Sequence, residues 1–187
     1  GIEDKDLRID IMNQMRYFMP HILALSSSSP FWQGNLTGFK SFRSIIFEDL
    51  PRTGIPEAFK SYSDYSSYIQ TLINCKSIDD PTKIWWDIRP HPNYPTLEFR
   101  ICDCCTLLND ALSIAALIQA LVAKLILLRK SNMTWRNYRG SLVNENKWRA
   151  TKDGVNSKLI DLGSKQEVPY NELILEAAEA RYGNKER

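Results

Sequence analysis

Two short runs decide most of what this chain can fold into. "KIWWDIR" (83–89) and "TLEFRIC" (96–102) alternate bulky apolar with charged residues, and the proline-rich "PHPNYP" joins them. Alternation along a strand sends neighbouring side chains to opposite faces. Ile84, Trp86 and Ile88 therefore share one face of the first run, and Leu97, Phe99 and Ile101 one face of the second. Burying both apolar sets in one core fixes the parity of the register. Asp87 and Arg89 must then lie on the same side as Glu98 and Arg100, so four charges converge on one sheet face. A solvated face with cross-strand ion pairs, each worth about 0–1 kcal/mol, is the plain account. Flanks dense in Trp and Pro, and the loop arginines Arg43 and Arg52, point instead to a site. A carboxylate among guanidinium groups suits Mg2+ together with phosphate. The cation takes hard oxygen ligands, and arginine grips phosphate through paired hydrogen bonds.

Composition adds bounds. The 187 residues carry a formal charge of +2, with 43% hydrophobic and 25% charged residues, as in ordinary soluble domains. So small a charge points to neither nucleic acid nor a membrane surface. Cys75, Cys102, Cys104 and Cys105 form no disulfide framework and read as reduced thiols of a cytoplasmic protein. Three crowded cysteines and a distant fourth do not make a four-ligand zinc site, and neither His21 nor His91 has a ligand at suitable spacing. "GIEDKDLRID" lacks the apolar core of a signal peptide. The stretch 111–128 is interrupted by Ser113, Gln119 and Lys124, which favours a core helix over a membrane span.

Along the chain, Leu7, Ile11, Met15, Phe18, Ile22 and Leu25 form the stripe of an amphipathic helix, kinked at Pro20 and stopped by "SSSSP". Residues 30–60 read as a structured loop region with a short strand near "SIIF". Ser61 and Asp64 cap a second helix that buries Tyr65, Tyr68, Ile69 and Leu72. Residues 107–130 predict a helix apolar nearly all round, and hence packed on most sides. "SLVNENKWRATKD" predicts a helix ending at Gly154, "KLIDL" a small strand, and Pro169 the start of a last helix that runs to about Gly183. The fold class is α+β.

Four blocks in order, "PHILALSSSSPFWQGNLTGFKSFRSIIF", "PRTGIP", "WWDIRPHPNYPTLEFRICD" and "ENKWRA", resemble the carboxylate-amine ligase family, glutamate–cysteine ligase type 2. The similarity runs from about residue 4 to residue 180. It implies a glutamine-synthetase-like antiparallel sheet with packed helices, holding ATP and Mg2+ on a concave face. The implied reaction activates the γ-carboxylate of glutamate as an acyl phosphate and lets an amine such as cysteine displace phosphate, as in glutathione biosynthesis. By position in the family's Glu-x-Arg element, Glu98 is expected to bind metal and Arg100 to meet phosphate; both are the expected catalytic residues. Arg89, Asn146 and Arg149 are expected to bind the nucleotide, with a structural role in helix packing the alternative for Asn146 and Arg149, and Arg43 and Arg52 to bind substrate carboxylate or phosphate. An acidic Glu-x-Glu element and a His-x-His-x-Gly element of the family are not in this sequence, and "ATKDG" departs from the family pattern. The chain is therefore expected to be a partial catalytic domain, residues 1–187, of a longer ligase, whose incomplete sheet edges invite homo-oligomers. An interaction module that kept the fold without the chemistry is the alternative.

Overall fold

Asp4 starts the first helix: its side chain accepts the Leu7 N–H at 2.8 Å. The computed structural model describes residues 1–179. α1 (Lys5–Met15) runs through one turn of 3-10 helix (Arg16–Phe18) into α2 (Met19–Ser26). Pro20 sits in the first turn of α2, where its missing N–H costs nothing, so the break precedes the proline. α1 and α2 are buried nearly all round. Ile9, Ile11, Met12, Met15, Met19, Ile22 and Leu23 are fully enclosed. Several polar members of the same rod are buried as well and find specific partners. Arg8 donates to the Ile2 and Glu3 carbonyls, and Asn13 exchanges hydrogen bonds with the Phe59 backbone. Gln14 accepts from Trp135 N–H. α1 packs on α4 (Tyr62–Asn74), on α5 (Leu108–Lys130) and on a strand, β5 (Ile88–Pro90), while α2 packs on α5 and on α6 (Gly140–Asp153).

The segment from 30 to 60 is structured, with one correction. A hairpin of β1 (Phe31–Trp32) and β2 (Asn35–Leu36) turns at Gln33 and Gly34, both at positive φ. "SIIF", expected as strand, instead belongs to α3 (Phe42–Glu48). Its two isoleucines suggest strand, but Ser41 at the helix entrance is tied to Thr151 O through its N–H (3.0 Å) and to Asp103 through its hydroxyl, and these distant anchors override local propensity. β3 (Thr53–Gly54) follows.

The first of the two alternating runs divides. β4 (Trp85–Trp86) pairs in parallel with β3, and β5 pairs antiparallel with β6 (Leu97–Phe99). Asp87 joins both ladders: its N–H donates to Gly54 O at 2.8 Å and its carbonyl accepts from Arg100 N–H at 2.7 Å. α4 has the expected cap, with Ser61 Oγ accepting from Asp64 N–H and Asp64 accepting from Lys60 N–H. Tyr65 and Ile69 are buried there, whereas Tyr68 is exposed. α6 ends at Gly154, at φ +57°. "KLIDL" supplies β7 (Lys158–Asp161), paired with β8 (Gln166–Pro169), and α7 (Tyr170–Glu179) begins one residue after Pro169. The expected helix end near Gly183 lies outside the described residues. The strands form four two-stranded ladders among the described residues. The class is α+β.

α5 departs most from expectation. It was expected to be enclosed, yet Ile114, Leu121 and Leu125 are its buried residues, and Leu108, Leu112 and Leu127 are exposed. By length and composition alone it could cross a membrane. Its polar interruptions do not prevent that, so the length argument for a core helix fails. An apolar circumference shows what a helix can pack against, not which side has a neighbour.

Candidate functional site

β5 and β6 set the central charges. The register places Arg89 opposite Glu98 and Ile88 opposite Phe99. Glu98 Oε2 accepts from Arg89 Nε at 2.9 Å and lies 2.8 Å from its Nη2; Glu98 Oε1 accepts from Arg100 Nη1 at 2.8 Å. Burial pushes the Glu98 carboxyl up, but hydrogen bonds from Arg100 and Arg89, with their charges, outweigh it and hold it below the usual range. Asp87 shares a pocket with Arg100, as the parity argument requires.

This pocket lies between α3, β3, β4, the end of β6 and α6, and Arg43, Arg100, Lys147, Glu48 and Asp87 are its charged lining residues. Lys147, almost wholly buried, reaches Asp87 Oδ2 at 2.8 Å and Glu48 Oε1 at 3.3 Å. The Asp87 contact is an ion pair outside hydrogen-bond angles, because that oxygen has no hydrogen-bond partner. Arg43 donates from Nη2 to Arg100 O at 3.1 Å and lies over the Phe47 ring, 4.4 Å from its centroid. Arg100 Nε is buried without a partner, an unused donor in a cationic setting. Three cations against two carboxylates favour an anion. The interior, about 10 Å3, has room for a water-sized group, such as one oxygen of a phosphate or carboxylate, rather than a whole nucleotide.

The other expected site residues lie elsewhere. Arg89 has its guanidinium engaged by Glu98 and by the carbonyls of Thr82 and Ile84, and it does not line the pocket. Arg52, at φ +59°, donates to Lys83 O and sits by Trp85. Asn146 is spent on β7, donating to Ile160 O at 2.8 Å and accepting from Ile160 N–H at 2.7 Å. Arg149 pairs with Glu145 and reaches Lys158 O and Glu167. Lys147 is the α6 side chain that enters the pocket, and sequence reasoning passed over it. The signal was present: Val143, Asn146, Lys147 and Ala150 fall at helical spacing on one face, and a lysine on a buried stripe calls for a partner.

The model of glutamate-cysteine ligase family 2 matches residues 1–187. The chain belongs to this family. A relative from Solibacter usitatus, named "Putative glutamate--cysteine ligase 2", is 50% identical over 179 residues, 96% of this chain and 46% of its own length. Relatives of the same name from Herpetosiphon aurantiacus and Rhodospirillum rubrum are 51% and 49% identical over the same shares. The chain thus spans about half the length of these curated relatives. Its four cysteines are free.

Proposed function

We propose that this chain is part of an ATP-dependent carboxylate–amine ligase that joins the γ-carboxylate of glutamate to the amine of cysteine. The observation that carries this reading is the convergence of Arg43, Arg100 and Lys147 on one pocket beside the Glu98-held ladder. In the proposed reaction a carboxylate oxygen attacks the γ-phosphorus of ATP and ADP leaves. The amine then attacks the acyl carbon, phosphate leaves, and the proton shed by the nitrogen passes to phosphate or water. Charge gathers on the transferring oxygens, and fixed guanidinium donors stabilise it most where water is excluded. Arg100 supplies that donor, Glu98 holds its plane through Oε1, and Arg43 braces the Arg100 carbonyl. Lys147 neutralises Asp87, which would otherwise repel the phosphate. We also propose that the β5–β6 ladder belongs to a larger curved sheet of the glutamine-synthetase type, and that the ligase works in a reducing cytoplasm.

Mg2+ would supply charge neutralisation at phosphate oxygens. The residues of this chain do not complete a site for it. Both Glu98 oxygens are held by arginines, and no group of three His, Cys, Asp or Glu converges among the described residues. Any further ligands are therefore proposed to lie in the rest of the ligase.

The test is steady-state kinetics on the complete ligase polypeptide carrying Arg100→Lys, beside its melting curve. Lysine keeps the charge and loses the planar two-donor fork. We expect kcat to fall at least about tenfold, or roughly 1.4 kcal/mol, with little change in Tm. An unchanged kcat would return Arg100 to a surface charge, and the chain to an interaction module.

A further inference from the structure

The serine run that ends α2 converges with α3 on one carboxylate. Asp103 is 6% exposed and appears in no ion pair among the described residues. Its Oδ2 accepts from Ser28 N–H at 2.8 Å and Ser29 Oγ at 2.7 Å, and its Oδ1 accepts from Ser41 Oγ at 2.8 Å. Ser29 Oγ in turn accepts the Arg43 N–H at 3.1 Å. Ser41 Oγ meets Ser44 Oγ at 2.8 Å, and Ser44 lines the pocket. The entrance of α3, and with it Arg43, is thus pinned from both sides by one buried acid. Asp103 follows Arg100 by three residues, and Arg43 closes the circuit by donating to the Arg100 carbonyl at 3.1 Å.

We propose that Asp103 is the positioning residue that sets Arg43 against Arg100 and so shapes the anion pocket. The inference rests on reading that pocket as the ligase's phosphate or carboxylate site. Asp103 acts through Ser29 and Ser41, without meeting substrate. A carboxylate suits the task because it accepts only, and three donors point at it. An asparagine would turn two N–H groups towards one of them. Displacing α3 by a fraction of an ångström would move Arg43 off the Arg100 carbonyl, and misplaced groups lose rate steeply.

The experiment is a double-mutant cycle on the complete ligase polypeptide, with kcat/KM for glutamate as readout. Asp103→Asn should lower kcat/KM about tenfold, yet less than about twofold in an Arg43→Ala background, since residues acting as one unit are not additive. Ser29→Ala, which keeps the buried acid, should show the same pattern at about threefold. It decides the question if Asp103→Asn fails to fold. Losses that simply multiply in the Arg43→Ala background, or no loss at all, overturn the proposal. Should Arg43→Ala itself leave kcat/KM unchanged, the reading of the pocket falls. The positioning role is then judged by NMR of the Arg43 Nε–H signal. A shift or broadening in Asp103→Asn and Ser29→Ala upholds it, and an unmoved signal refutes it.

Discussion

Arg89 and Glu98 face each other across the β5–β6 ladder, with Glu98 Oε2 accepting from Nε at 2.9 Å and lying 2.8 Å from Nη2. The arginine is buried at 7% exposure, whereas the glutamate keeps one edge towards water. A half-buried pair of this kind differs from the exposed cross-strand pairs common on sheets. Removing one member leaves the other charged and desolvated.

Glu98→Gln should therefore destabilise the chain by about 2–4 kcal/mol, below the upper range for fully buried pairs because the carboxylate is partly wet. Urea denaturation at neutral pH checks this, and a loss under about 0.5 kcal/mol would mark an ordinary surface pair. The lowered carboxyl pKa adds a pH signature. Its contribution is fully present above the unfolded value, about 4.3, and is lost as pH falls through the folded one. The wild-type chain should lose stability across that acid window more steeply than Glu98→Gln does.

His21 titrates in a different window. It is fully enclosed on α2, which packs against α5 and α6, its Nδ1–H donating to Tyr17 O at 3.2 Å. Burial pushes its pKa down to about 4, against smaller upward pulls from the Tyr17 hydrogen bond and the Asp161 charge. Between pH 6.5 and about 4 the unfolded imidazole is protonated and the folded one is not, so stability falls as pH drops through this range. Stability curves at closely spaced pH values should show that slope, and His21→Gln should flatten it. An NMR titration placing the folded His21 pKa near 6.5 would remove the cause.

Asn146 offers a test of structural against nucleotide-binding roles. Its amide satisfies both the N–H and the carbonyl of Ile160. Asn146→Ala should cost about 1–3 kcal/mol through the unpaired Ile160 groups. ATP affinity of the complete ligase, measured by calorimetry below the melting transition, should stay unchanged. Weaker ATP binding at unaltered stability would put Asn146 in the site after all.

α5 yields the sharpest contrast along one helix. Leu125 is 2% exposed and Leu112 is 58% exposed. In this chain Leu125→Ala should cost about 2–5 kcal/mol through transfer and cavity terms. Leu112→Gln should stay within about 0.5 kcal/mol, as surface changes do. Thermal melts of the two variants side by side read the difference, and equal losses would mean that both faces are packed.

Much of the site's frame is legible in the sequence. Strand alternation with two apolar faces placed Asp87, Arg89, Glu98 and Arg100 on one side, and the ladder bears this out. The Ser61 cap, the Gly154 stop and the β7 strand were legible for the same reason: each depends on neighbours a few residues away. Which helix lies at the centre was not. The apolar stripe of the first helix implies a single buried side, but Arg8, Asn13, Gln14 and His21 are buried as well, each with a hydrogen-bond partner, and α1–α2 became the core. α5, the most apolar helix, kept an exposed flank. The entry of Lys147 rather than Asn146 into the pocket, the helical fold of "SIIF" and the grip of Asp103 on α3 were likewise decided in three dimensions. Periodicity and capping are local quantities, which a sequence specifies alone. Whether a polar group is wet or paired depends on partners far away in the chain, 121 residues for Gln14 and Trp135 and 149 for Tyr170 and the His21 carbonyl, and only the packed chain brings those together.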